Sequence, residues 1–96
     1  MRRYAMRADK SQPGIVKALR ALGASVCYIP PAVGEPDLLI GYRGENFLLE
    51  CKSPGHEKDH KERLDVQAMW RDKWRGRKPV VVTTPDEALR AIGAIQ

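Results

Sequence analysis

The chain has 96 residues, enough for one domain with a modest core and too few for two. Lys and Arg number 17 against 12 Asp and Glu, giving a formal charge of +5 and a sequence pI near 9.5, a balance that favours a polyanionic partner such as nucleic acid. Two cysteines make no disulfide framework, no apolar run is long enough to cross a membrane, and no apolar signal core follows the first arginines, so a cytoplasmic protein is expected.

Residues 1–10 read as a basic arm carrying Arg2, Arg3, Arg7 and Lys10, open to two readings: a solvated tail or a set of phosphate contacts. Residues 11–96 read as a single domain without internal repeat or linker. Ser11 is a candidate N-cap and Pro13 suits a first helical turn. Ile15, Val16, Leu19 and Leu22 then keep helical spacing until Gly23 stops the helix. Ala24 to Ile29 is a predicted strand ended by Pro30-Pro31, where Cys27, like Cys51 later, reads as a small apolar side chain. Residues 30–35 form a loop in which Gly34 allows an irregular turn and Pro36 holds Glu35 extended before Asp37.

The most informative stretch follows. Asp37 to Tyr42 and Glu45 to Cys51 are strand-forming runs on either side of Arg43-Gly44, a two-residue turn. Counting outward, Tyr42 faces Glu45, Ile40 faces Phe47, Leu38 faces Leu49, and Asp37 falls opposite Glu50. The period of two puts Asp37, Leu39, Leu48, Glu50 and Lys52 on one face, with Leu38, Ile40, Phe47, Leu49 and Cys51 on the other. Opposed carboxylates repel unless one gains a proton or a cation sits between them. Oxygen ligands of this kind suit Mg2+ or Mn2+, and Lys52 reaches the same pocket as an electrostatic clamp. A Glu-x-Lys alone reads as a solvated pair on an edge strand; Pro36-Asp37 on the partner strand and the apolar run before Glu50 favour the site.

Residues 53–60 are polar and contain Pro54-Gly55, a loop at the mouth of this pocket whose Lys58 is a candidate nucleic-acid contact. His56 and His60 lie four apart, but nothing completes a tetrahedral zinc set. Lys61 to Trp74 is the second predicted helix, with Val66, Met69, Trp70 and Trp74 as its apolar stripe and Gln67 at the edge of that stripe. The shared face of the two tryptophans favours core packing over base stacking. Lys61 at its start, and Arg71, Lys73, Arg75, Arg77 and Lys78 at its end, are candidate phosphate contacts, against a plain solvated charge run. Pro79 to Thr83 is a short strand. Thr84, Pro85 and Glu87 then spell a capped helix start, and Ala88, Leu89, Ile92 and Ile95 give its apolar side, broad enough to make a homodimer reasonable. The element order is αβββαβα.

Pro36-Asp37 followed by Glu50-Cys51-Lys52 resembles the core signature of the PD-(D/E)XK nucleases. The run Gly34 to Gly41, the segment Leu49 to Lys52, and Gln67 within Leu64 to Trp70 resemble the small stand-alone VRR-NUC members typical of phages and bacteria. The resemblance implies a restriction-endonuclease-like α/β core, a mixed sheet flanked by helices. It implies a metal-dependent DNA endonuclease of a bacterial cell or phage-infected host, acting on branched, flap or four-way-junction DNA as a homodimer. Asp37, Glu50 and the backbone carbonyl of Cys51 would hold Mg2+ or Mn2+, and Lys52 with Gln67 would complete the catalytic set. The chain departs from the family where a first-helix glutamate is usual, two positions after a glutamine: Gly14 follows Gln12. Asp9 and Glu35 are the carboxylates near enough in sequence to substitute. The alternative is a catalytically weak DNA-binding module, or a structural subunit of a repair, recombination or packaging assembly.

Overall fold

The computed structural model describes residues 10–30, 32, 34–53 and 61–96, with residues 61–65 described through their backbone alone. Arg2, Arg3, Arg7, Asp9, His56, Lys58, His60 and the Lys61 side chain lie outside the described residues. The elements are α1 (Gln12–Ala21), β1 (Ser25–Tyr28), β2 (Leu38–Tyr42), β3 (Glu45–Cys51), α2 (Lys61–Lys73), β4 (Val80–Val82) and α3 (Pro85–Ala91), the αβββαβα order expected.

Helix α1 buries Ile15, Val16 and Leu19, the stripe its spacing predicts. It stops because Gly23 takes φ 99°, and its last carbonyls are satisfied by bonds from Gly23 N–H to Arg20 O (3.0 Å) and Ala24 N–H to Leu19 O (3.1 Å). At the other end Ser11 has helical angles (φ −73°, ψ −19°) in place of the extended ones of the expected cap.

Strands β2 and β3 form the predicted hairpin. Arg43 (φ 52°) and Gly44 (φ 80°) both adopt left-handed conformations, as a two-residue turn that follows strand twist requires. The register is Tyr42 to Glu45, Ile40 to Phe47 and Leu38 to Leu49, which fixes the faces. Leu38, Ile40, Phe47, Leu49 and Cys51 are all buried, on the side covered by α1 and α3. Each fully buried aliphatic side chain there contributes about 1.5–3 kcal/mol.

The sheet order is β1-β2-β3-β4, antiparallel except for β3 and β4, which run parallel. Parallel neighbours need a crossover, and α2 makes it. The helix passes over the polar face of β3, the side carrying Glu50 and Lys52.

That placement overturns the core-packing expectation for the tryptophan stripe. The core lies on the opposite face, so Met69 and Trp74 are 55% and 42% exposed and Trp70 is half-buried. Cys27 is likewise exposed, because it pairs with Leu39 on the sheet face away from the core, whereas Cys51 is buried; neither thiol is in a disulfide. In α3, Ala88 and Ile92 are buried and Leu89 packs partly against the core, while Ile95 lies exposed beyond the helix end. The apolar side of α3 is thus largely covered by α1 within the chain.

Candidate functional site

The hairpin and the crossover helix meet around Glu50. Period-two alternation turns this side chain away from the apolar core, and α2 then covers it, leaving it 0% exposed. Asp37 sits just beyond the regular ladder and straddles Glu50. Its N–H donates to Leu49 O (3.0 Å), and its Oδ2 accepts from Cys51 N–H (2.7 Å), so it is bonded to the residue on either side of the glutamate. Ile29 N–H donates to Asp37 O (2.9 Å), tying the same residue to the end of β1. The aspartate therefore has its backbone and carboxylate fixed by two segments that the sequence separates, the end of β1 and strand β3.

Lys52 follows β3, held by its own N–H donating to Val82 O (2.9 Å). Its ammonium donates to Gln67 Oε1 at 2.6 Å, and Gln67 is buried. The sequence places that glutamine at the edge of a helical stripe; the structure aims it at Lys52. One helical turn further on, Arg71 donates from a terminal guanidinium nitrogen to Glu50 Oε1 at 3.0 Å. Glu50 Oε2 is buried and has no hydrogen-bond partner. An orphaned carboxylate oxygen in the interior is costly and calls for a cation or a proton.

The balance of these influences holds the Glu50 carboxyl above its ordinary range. Burial raises it most; the bond and charge of Arg71 and the charge of Lys52 pull it back, and the charge of Asp37 adds to the rise. Asp37, Glu50, Lys52 and Gln67, expected together, are brought together. Among the described residues no group of three or more His, Cys, Asp or Glu side chains is placed to hold a metal ion. The acidic donors here are two.

Two features were not legible in advance. The sequence offers Arg71 as a phosphate contact or part of a solvated charge run, whereas the structure sets its guanidinium against Glu50; its place one turn after Gln67 is the signal that points there. Gly34 (φ 84°) lets the loop before β2 close on α2, since a Cβ there would lie 2.8 Å from Val66 Cγ1 and 2.9 Å from Val66 O. Glu35, a possible spare ligand, is exposed, and Gly14 lies on an exposed part of α1 with nothing within 4 Å of an added Cβ.

The other basic residues divide in two. Arg77 donates to Glu45 Oε1 (2.6 Å) and lies over the Phe47 ring (4.3 Å to its centroid), and Lys78 Nζ donates to Arg71 O and Asp72 O (2.9 and 2.8 Å), closing the end of α2. Lys10, Lys73 and Arg75 are exposed.

Together these observations define a small α/β domain whose mixed four-stranded sheet, flanked by helices, carries a buried glutamate and a half-buried aspartate beside a lysine and a glutamine. The chain matches no family model, no curated protein and no solved structure.

Proposed function

We propose that the protein is a divalent-metal-dependent DNA endonuclease, and the observation that carries the reading is Glu50. A fully buried carboxylate with one unpartnered oxygen, straddled by Asp37 and neighboured by Lys52, is an oxygen-donor site suited to a hard cation. Asp37, Glu50 and the backbone carbonyl of Cys51 would hold Mg2+ or Mn2+. When bound, such an ion polarises a scissile phosphodiester and makes an attacking water more acidic.

The chain's own residues supply the rest. The Lys52 ammonium donates to Gln67 Oε1, which holds its positive charge beside Glu50, where it would offset the negative charge that develops on the phosphate. Gln67 acts as a positioning residue through Lys52. Water adds to phosphorus as the bond to the leaving oxygen breaks, giving a phosphate monoester and a hydroxyl end. Lys10, Lys73 and Arg75 supply exposed positive charge for the DNA backbone, in keeping with the net charge of +5. No base-reading element is present in the sequence, which favours recognition of branched or flap DNA by shape.

One observation favours a second reading. Arg71 already neutralises Glu50 in part, an arrangement that suits a non-cutting DNA-binding or structural subunit. Incubation with linear, flap and four-way-junction DNA in Mg2+ or Mn2+ separates the two. The nuclease reading expects cleavage by the wild type, with DNA binding but no cleavage by Glu50→Gln and Lys52→Met. A wild type that binds these DNAs and cuts none of them refutes it.

A further inference from the structure

Trp70 and Trp74 are the only two tryptophans of the chain, and they stack on one another, ring centroids 4.6 Å apart and planes within 13°. That is the spacing and near-parallel attitude of an offset aromatic stack. The stack is not buried: Trp74 is 42% exposed. Trp74 N–H still donates to Trp70 O (3.1 Å), so the indole is presented from a continuing helical turn and not from a loose loop.

Gly76 lets the chain leaving α2 pass close beside it. A Cβ on Gly76 would lie 2.9 Å from Trp74 Nε1 and 3.7 Å from both Cδ1 and Cε2, so a larger residue there would press on the nitrogen side of the indole. Charge points to the occupant. Of the basic residues at this end of α2, Arg71, Arg77 and Lys78 are engaged with protein groups. Lys73 and Arg75, on either side of Trp74 in the chain, are exposed and, among the described residues, hold no ion pair or hydrogen bond. A partly exposed indole flanked in the chain by two exposed cations is matched by a planar, uncharged ring on an anionic backbone.

We propose that the Trp70–Trp74 stack is a docking platform for one unpaired base of a nucleic-acid strand, with Lys73 and Arg75 on the phosphates next to it. Trp74 lies seven residues after Gln67, two helical turns along the same phase of α2 and about 10 Å away along its axis. A strand whose backbone passes Lys52 can therefore lay a base one or two nucleotides further on over Trp74. The inference shares its nucleic-acid partner with the nuclease reading and gives that substrate an unpaired nucleotide beside the cut, but it requires no cleavage.

Intrinsic fluorescence of the full chain in EDTA tests it, because the two indoles are the only tryptophan emitters. The probes are a short oligothymidylate and an abasic strand of the same length. The expected result is saturable quenching and tighter binding by the oligothymidylate. Trp74→Ala weakens that binding by about five-fold or more while leaving the abasic strand's affinity unchanged, and Trp74→Phe restores most of it. Equal binding of the two strands by the wild type overturns the proposal, and that comparison needs no variant to fold. So does emission that responds to protein concentration, with dimer sedimentation, and not to oligothymidylate, since a second copy would then be the occupant. Because no metal is present, failure here leaves the cleavage assay to be judged separately.

Discussion

Replacing Arg71 by alanine removes a cation hydrogen-bonded to a glutamate that has no exposed surface. The Arg71 side chain is itself only 28% exposed, so solvent screens the pair weakly. Breaking a buried pair by removing one partner costs about 3–5 kcal/mol when the remaining charge cannot escape. Glu50 has an escape, which is to take up a proton. From its ordinary value of 4.5, the cost of doing so at pH 7 is about 3.4 kcal/mol at 1.36 kcal/mol per unit, and this caps the loss. The wild type, whose folded value is already raised, bears part of this cost, and Lys52 and any entering water reduce it further, so a loss of about 1–2 kcal/mol is expected, or roughly 5–15 °C in melting temperature for a domain of this size. The pH dependence follows from the same group. Its folded value is already raised, so its contribution to stability is fully present below about 4.5 and is lost as pH rises through the folded value. Removing Arg71 raises that folded value further. The difference between variant and wild type should therefore be small near pH 4 and widen toward pH 7. Thermal melts at several pH values measure it, and adding Mg2+ or Mn2+ at pH 7 should narrow it if a cation can take over at Glu50. A difference below about 1 kcal/mol at pH 7, or one independent of pH, would refute the buried-charge reasoning.

Gly34→Ala should cost about 2–4 kcal/mol, combining a positive φ with a Cβ pressed against the Val66 carbonyl, whereas Gly14→Ala, in open space on α1, should add about 0.5–1 kcal/mol; denaturant melts compare the two. Because Gly34 holds the loop against α2, its substitution should also speed amide exchange in α2 more than in α1. Glu87, whose carboxylate accepts from Thr83 N–H and Oγ1 (2.7 and 2.9 Å), is held below its ordinary value chiefly by the Thr83 backbone bond. Its contribution is present above pH 4.5 and lost as pH falls through the folded value, so Glu87→Gln should flatten the acid side of the stability curve and leave the slope above pH 6 unchanged.

The hairpin was fully written in the sequence. Arg43-Gly44 fixed the turn, and a period of two then decided every face from Leu38 to Cys51, because a slip by one residue would have exposed the whole apolar set. The start of α3 was equally local, set by Thr84 and Pro85, since capping uses atoms within a turn of each other, whereas its apolar side was expected to reach Ile95 and the helix ends at Ala91, before Gly93 at φ 79°. Grouping of Asp37, Glu50, Lys52 and Gln67 needed little more than this register and one helical edge.

What local rules could not reach was which side of the sheet each helix would cover. That choice depends on the crossover between β3 and β4, and it reversed the reading of α2: its tryptophans went to the surface and its Arg71 to a buried glutamate. Periodicity reports that a helix has an apolar face, not what the face will meet. The acidic pair on the hairpin was decided by a two-residue repeat along one strand pair. Its cationic partner came from a helix 21 residues beyond Glu50, and only packing could bring that guanidinium to it.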